Sequence, residues 1–328
     1  MTKSLDLKLA RLHADPGRSG DFILADAKDA DMAFGLAAPG TDPVTGERRS
    51  LADYRDQIRE IVAQGLVDIM LMSLGTSELL TVEERLFDGS AVTPAVRAND
   101  TTDIHVLAGA AYPQQPSRPF HTATIREIKT AGGVDLGLYS VTPVNDAEAD
   151  VAALEAYREF RAEAEREGFR HLLEIFAPNV PDHAPEDPGR FLNDFVARTL
   201  AGVPRSGRPL FLKMPYHGPR AMRELAAYDP HLIPGILGGS SGTTYDAFFL
   251  LEDARRNGAR AALFGRKIKD SEHPLTFVQY LRLIADGRMD AAEACRGYHA
   301  DLRTLGITPH RALELDLQLT NASAAYSS

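Results

Sequence analysis

The chain has 328 residues, 44% of them hydrophobic and 25% charged, the balance of an ordinary globular enzyme. A formal charge of −10 argues against a nucleic-acid surface, and no run approaches the roughly 20 apolar residues of a membrane helix. One cysteine, Cys295, excludes an internal disulfide and any multi-cysteine metal site.

Residues 1–20 read as an N-terminal extension in which charged and apolar residues alternate, without the apolar run of a signal peptide. Cytoplasm is therefore the expected compartment. Asp21 to Ala27 is the first apolar run. Ser50 to Gly65 reads as a helix capped by Ser50, with Leu51, Ile58, Ile61 and Val62 on one stripe. Between them Gly35 to Gly46 reads as a loop able to close over a site. Val67 to Gly75 is a second strand and precedes a helix around Glu78 to Phe87. Val92 to Arg97 is a third strand. Asn99 to Thr130, with Pro113, Pro116 and Pro119, reads as an extended loop plus a helix.

Gly133 to Thr142 is the fourth strand, followed by a helix from Asp146 to Gly168. Arg170 to Ala177 is the fifth, and the proline-rich stretch from Pro178 to Pro188 is a second long loop. Pro209 to Met214, Ile233 to Gly238 and Ala259 to Phe264 complete eight strands. Helices at Pro188 to Ala201, Pro219 to Tyr228 and Tyr245 to Asn257 fill the intervals. Thr320 to Ser328 reads as a frayed tail.

Strands apolar along their whole length, alternating with amphipathic helices, imply a parallel sheet covered by helices. Eight such units, with no glycine-rich dinucleotide turn after the first strand, predict a single-domain (β/α)8 barrel with extended loops after strands three and five.

A lysine inside such a strand demands a reason, because a buried ammonium is costly unless paired or neutralised. Lys213 ends the run Leu210-Phe211-Leu212, at the barrel end where catalytic groups collect. Burial there would favour a neutral amine able to attack a carbonyl and form an imine. A strand-end lysine reaching for solvent fits the same position. Glu174, alone among apolar neighbours on the fifth strand, is its natural partner, as catalytic base or as half of a structural ion pair. Asp26 and Lys28, two apart at the end of the first strand, share a face. If that face is the pocket, Asp26 handles a proton and Lys28 grips an anion. Gly238-Gly239-Ser240 after strand seven and Gly265-Arg266 after strand eight have the composition of a phosphate grip. Arg97 and Asp100 could line the same pocket or form a surface ion pair, and Tyr139 and Tyr216 are candidate proton donors or pocket-lining rings.

These residues resemble the class I, imine-forming aldolases of the DhnA, deoxyribose-phosphate and tagatose-bisphosphate aldolase superfamily, in short motifs spread from about Phe22 to Gly306. The resemblance implies a barrel lyase with Lys213 as imine lysine and Glu174 and Asp26 as its acids. Gly238, Gly239, Gly265 and Arg266 would hold a phosphate of a phosphorylated ketose or keto acid. No cofactor is implied, and a homo-oligomer is expected on general grounds. Lys28 stands where many sugar-bisphosphate members carry arginine. Ten histidines show no metal-binding spacing, so no metal is expected. Two other readings remain: an isomerase or epimerase using Glu174 as base without an imine, and a non-catalytic barrel that binds sugar phosphates.

Overall fold

The computed structural model describes residues 2–16, 18–42, 45–239 and 242–320. Eight parallel strands form the barrel: β1 (Ile23–Lys28), β2 (Ile69–Met72), β3 (Thr93–Arg97), β4 (Leu136–Val141), β5 (Arg170–Ile175), β6 (Leu212–Lys213), β7 (Gly235–Leu237) and β8 (Ala261–Phe264). β2 to β8 each lie inside a run expected from sequence, and β1 runs one residue past the expected Ala27, to Lys28. β1 pairs with both β2 and β8, and the seam between β6 and β7 closes through a parallel bridge from Met214 to Ile236. The chain therefore forms the (β/α)8 barrel its repeat predicts.

The main helices are α1 (Ser4–Ala14), α2 (Leu51–Gln64), α3 (Ile125–Thr130), α4 (Ala147–Glu167), α5 (Pro188–Ala201), α6 (Gly218–Tyr228), α7 (Thr244–Arg256), α8 (Pro274–Ala285) and α9 (Ala291–Thr304). Capping explains where several begin: Ser50, Thr124, Thr243 and Asp290 each close a reciprocal capping box with the acid three residues on. The helix expected from Glu78 to Phe87 is instead a turn of α-helix at Leu74–Ser77 running into a π-helix at Glu78–Glu83. Ser77 Oγ, at the junction, bonds the Gly132 carbonyl and the Thr81 hydroxyl.

Alternation along the strands sorts the apolar residues into two layers. Ile23, Ala25 and Ala27 of β1 point inward with Ile69, Leu71, Ala95, Leu138, Leu172, Phe211 and Leu263. Phe22 and Leu24 point outward with Met70, Met72 and Phe264, against α2, α7, α8 and α9. The N-terminal segment is more than an extension. Leu5, Leu9 and Leu12 of α1 join the inner cluster and close the barrel floor. Lys3 Nζ fastens that helix to the carbonyls of Phe87, Ser90 and Val92 at 2.9–3.1 Å.

Both long loops rise from the opposite end. The first carries a two-stranded ribbon, Asp100–Thr101 against Pro119–Phe120, and the second is tied to it by Asn179 Nδ2, which bonds the carbonyls of Pro113 and Gln115. Thr41 of the 35–46 loop forms an antiparallel bridge with Arg48 just beyond it, and residues 43 and 44 lie outside the described set. Of the expected tail, Thr320 is held by Asp246 through its N–H and hydroxyl, and 321–328 lie outside the described residues.

Candidate active site

Strand register builds the site. Ser140 of β4, Glu174 of β5 and Lys213 of β6 are consecutive Cα partners across three strands. Their side chains form a polar row directly above the apolar pair Leu138 and Leu172. Lys213 Nζ lies 2.5 Å from Glu174 Oε1, with the lysine 7% and the glutamate 1% exposed. Glu174 Oε2 accepts the Ser140 hydroxyl at 2.6 Å, and Asn99 clamps the Ser140 backbone at 2.6 and 2.9 Å.

Arg97, at the end of β3, is the hub. One terminal nitrogen contacts Asp29 at 2.8 Å and Glu174 at 3.4 Å, and the other contacts Asp100 at 3.3 Å and Ser140 Oγ at 3.1 Å. Burial works against its charge, but the carboxylates of Asp29, Glu174 and Asp100 outweigh that and hold its pKa above the ordinary value. Asp100 moves the other way from most paired acids. Burial raises its carboxyl, and Arg97 offsets only part of the cost. The surface ion pair considered for Arg97 and Asp100 is excluded, since both are buried in this network.

A pocket opens above this row, lined by Ala27, Asp29, Arg97, Glu174 and Lys213 on one side. Gly238, Gly239, Gly265 and Arg266 line the other, and Ala33, Phe34, Ile104 and Phe176 complete the wall. The glycine turns fit because side chains would not. A Cβ on Gly238 would meet the Phe264 ring at 2.1 Å, and one on Gly265 the Ala27 carbonyl at 2.6 Å. Arg266 lays its guanidinium over Phe34, 5.3 Å from the ring centroid. Ser240 lies outside the described residues.

Three expectations need correction. Asp26 and Lys28 do not reach the pocket. Both share the outward face of Leu24, are fully buried behind the strand and pair with each other at 2.9 Å. Burial raises the Asp26 carboxyl, partly countered by Lys28. The inward residue at that level is Ala27, and the acid that reaches the pocket is Asp29. Tyr139 faces outward because its neighbour Ser140 faces in; its ring packs 5.1 Å from Tyr157 and 4.4 Å from Phe160 of α4. Tyr216 turns toward α7, where its hydroxyl donates to Asp253 at 2.5 Å. Sequence reading also passed over Asp29, Ser140 and Asn99. The small polar side chain of Ser140 in an otherwise apolar strand, beside Tyr139, was the available signal.

No described helix is long and apolar enough to cross a membrane. Outside the pocket lining, Cys295, His299 and Asp316 bring candidate metal-ligand atoms within 4.8 Å of one another. Asp316 already accepts from the Thr244 N–H at 2.8 Å and meets His299 Nε2 at 2.9 Å, and burial pushes the Cys295 thiol up to about 12. The group ties the C-terminal segment to α7 and α9.

No protein-family model and no curated protein matches the chain. Solved structures do. An archaeal fructose 1,6-bisphosphate aldolase superposes at a TM-score of 0.63 and 17% identity, over 87% of this chain and all of that one. The barrel shares the fold of that aldolase. A fructose-bisphosphate aldolase from Slackia heliotrinireducens aligns at 0.66 and 15% over 90% of this chain and 91% of its own. A protein from Corynebacterium glutamicum aligns at 0.58 and 18% over 88% and 99%. At these identities the likeness is one of fold.

Proposed function

We propose that this chain is a class I aldolase, a lyase that cleaves or forms a carbon–carbon bond in a phosphorylated ketose or keto acid through an imine on Lys213. The observation that carries the reading is the Lys213–Glu174 contact at 2.5 Å, at the carboxyl end of the barrel and facing the two glycine turns. The shared fold supports it: one structural neighbour is described as having its catalytic lysine covalently bound to the carbinolamine intermediate of its substrate.

In this reading Glu174 is the base within reach of the Lys213 ammonium. Once deprotonated, Nζ adds to the ketone, and loss of water leaves a protonated imine. Asp29, from the end of β1, then takes the proton from the hydroxyl on the carbon being released. The carbon–carbon bonding pair flows into the imine, giving an enamine and a free aldehyde. Protonation of the enamine and hydrolysis return the lysine. Gly238, Gly239, Gly265 and Arg266 would hold the phosphate and fix the carbonyl over Nζ, the positioning that makes such attack fast.

Borohydride reduction in the presence of dihydroxyacetone phosphate tests this. The expected result is an irreversible mass increase on the Lys213 peptide, absent from Lys213→Ala. Turnover of a ketose phosphate with no adduct would discard the imine and leave Glu174 as the base of an isomerase.

A further inference from the structure

The cations of the pocket are unequally available, and this bears on what the substrate carries. Three line it: Lys213, Arg97 and Arg266. Lys213 is engaged with Glu174, and Arg97 faces the carboxylates of Asp29, Glu174 and Asp100 at 2.8–3.4 Å. That cluster holds one carboxylate more than it holds cations. Lys28, the natural candidate for a second anion grip, is turned away and paired with Asp26. Lys267, beside Arg266 in sequence, donates to the Gly242 carbonyl at 2.7 Å. Of the three cations among the described residues lining the pocket, Arg266 is the one with no carboxylate partner. Its guanidinium lies over Phe34, a contact that leaves its N–H groups free for an oxyanion.

We propose that the pocket selects a substrate with one anionic group, held between Arg266 and the glycine turns, while its other half is hydroxylated and uncharged. This rests on the phosphate-binding aldolase reading above. A second phosphate would sit against Asp29 and Glu174, with Asp100 behind Arg97, in a partly desolvated cleft where like charges repel more strongly than in water. A hydroxyl there meets carboxylate acceptors and lies between the apolar walls of Ile104 and Phe176.

Calorimetric titration with hexitol 1-phosphate and hexitol 1,6-bisphosphate tests the proposal without requiring chemistry, since neither polyol can form an imine. The monophosphate is expected to bind as tightly as the bisphosphate or more tightly. A bisphosphate preference of tenfold or more would overturn the proposal, as would binding of neither polyol. Asp29→Asn removes one of the three carboxylates facing Arg97 and is expected to shift the affinity ratio severalfold toward the bisphosphate. An unchanged ratio would overturn the charge argument, and if that variant fails to fold the native ratio decides. Borohydride trapping on Lys213 is read separately, so an adduct with dihydroxyacetone phosphate beside a strong bisphosphate preference would leave the aldolase standing and remove only this inference.

Discussion

Asp26 and Lys28 show how much hangs on one position. In a strand buried on both faces, alternation gives no sign of which parity looks inward, because both neighbours are apolar. Asp26-Ala27-Lys28 was therefore legible as a pair on one face, but not as the outer one. Ala27, the residue without chemistry, fixes the parity by sharing the inner cluster with Ala25 and Leu71. The outward pair is a stability element. Lys28→Met would leave the fully buried Asp26 carboxylate uncompensated, at a cost of about 3–5 kcal/mol. Denaturant melts should show that loss, while trapping on Lys213 persists in the folded variant. A folded Lys28→Met protein unable to form the adduct would return Lys28 to the pocket. Lys213 and Glu174 were legible because a charge within an apolar run is anomalous at any parity. Arg97 was harder. At the end of its strand it looks like any surface arginine, and the acids that bury it come from Asp29, Asp100 and Glu174.

Among elements, the eight strands were readable as apolar runs, and their helices as amphipathic intervals with good caps. The role of α1 was not, because three leucines spaced along a charged segment carry no mark of what they cover. The seam between β5 and α4 holds a pH-sensitive contact. His171 of β5 is buried against α4, its Nε2 2.8 Å from the Tyr157 hydroxyl. Burial, reinforced by nearby Arg161, pushes its pKa down to about 3. The unfolded chain takes up that proton near pH 6.5 and the folded chain does not, so stability from this group is complete above 6.5 and falls as the pH drops toward 3. Between pH 7 and 4.5 it should contribute a loss of about 2–3 kcal/mol. His171→Gln should flatten that part of the stability–pH curve measured by urea titration. An equally steep acid limb in the variant would assign the effect elsewhere.

At the scale of the whole molecule, β1 pairs with β8, joining residues such as Ile23 and Ala261 that lie far apart in the chain. Pairing between residues so distant in sequence is intrinsically slow to form, because long loops must be ordered before the contacts reward them. The pocket forms only when it is complete, since Ala27 and Asp29 come from one side of that seam and Gly265 and Arg266 from the other. The eightfold repeat of apolar runs and amphipathic intervals made a barrel legible. The occupant of each inward position was legible only where a residue was out of place.

The in-register pairing of Glu174 with Lys213 has a consequence for how activity would fail on heating. Neither group sits on a loop that can wander while the barrel stays intact; each is fixed by the ladder that joins β5 to β6. Local fraying, which silences many enzymes below their melting point, has little purchase on such a pair. Inactivation and loss of tertiary circular dichroism should therefore share one midpoint, and activity vanishing several degrees earlier would place the fragile step in the surrounding loops. The thermometer of the reaction centre would be the barrel itself.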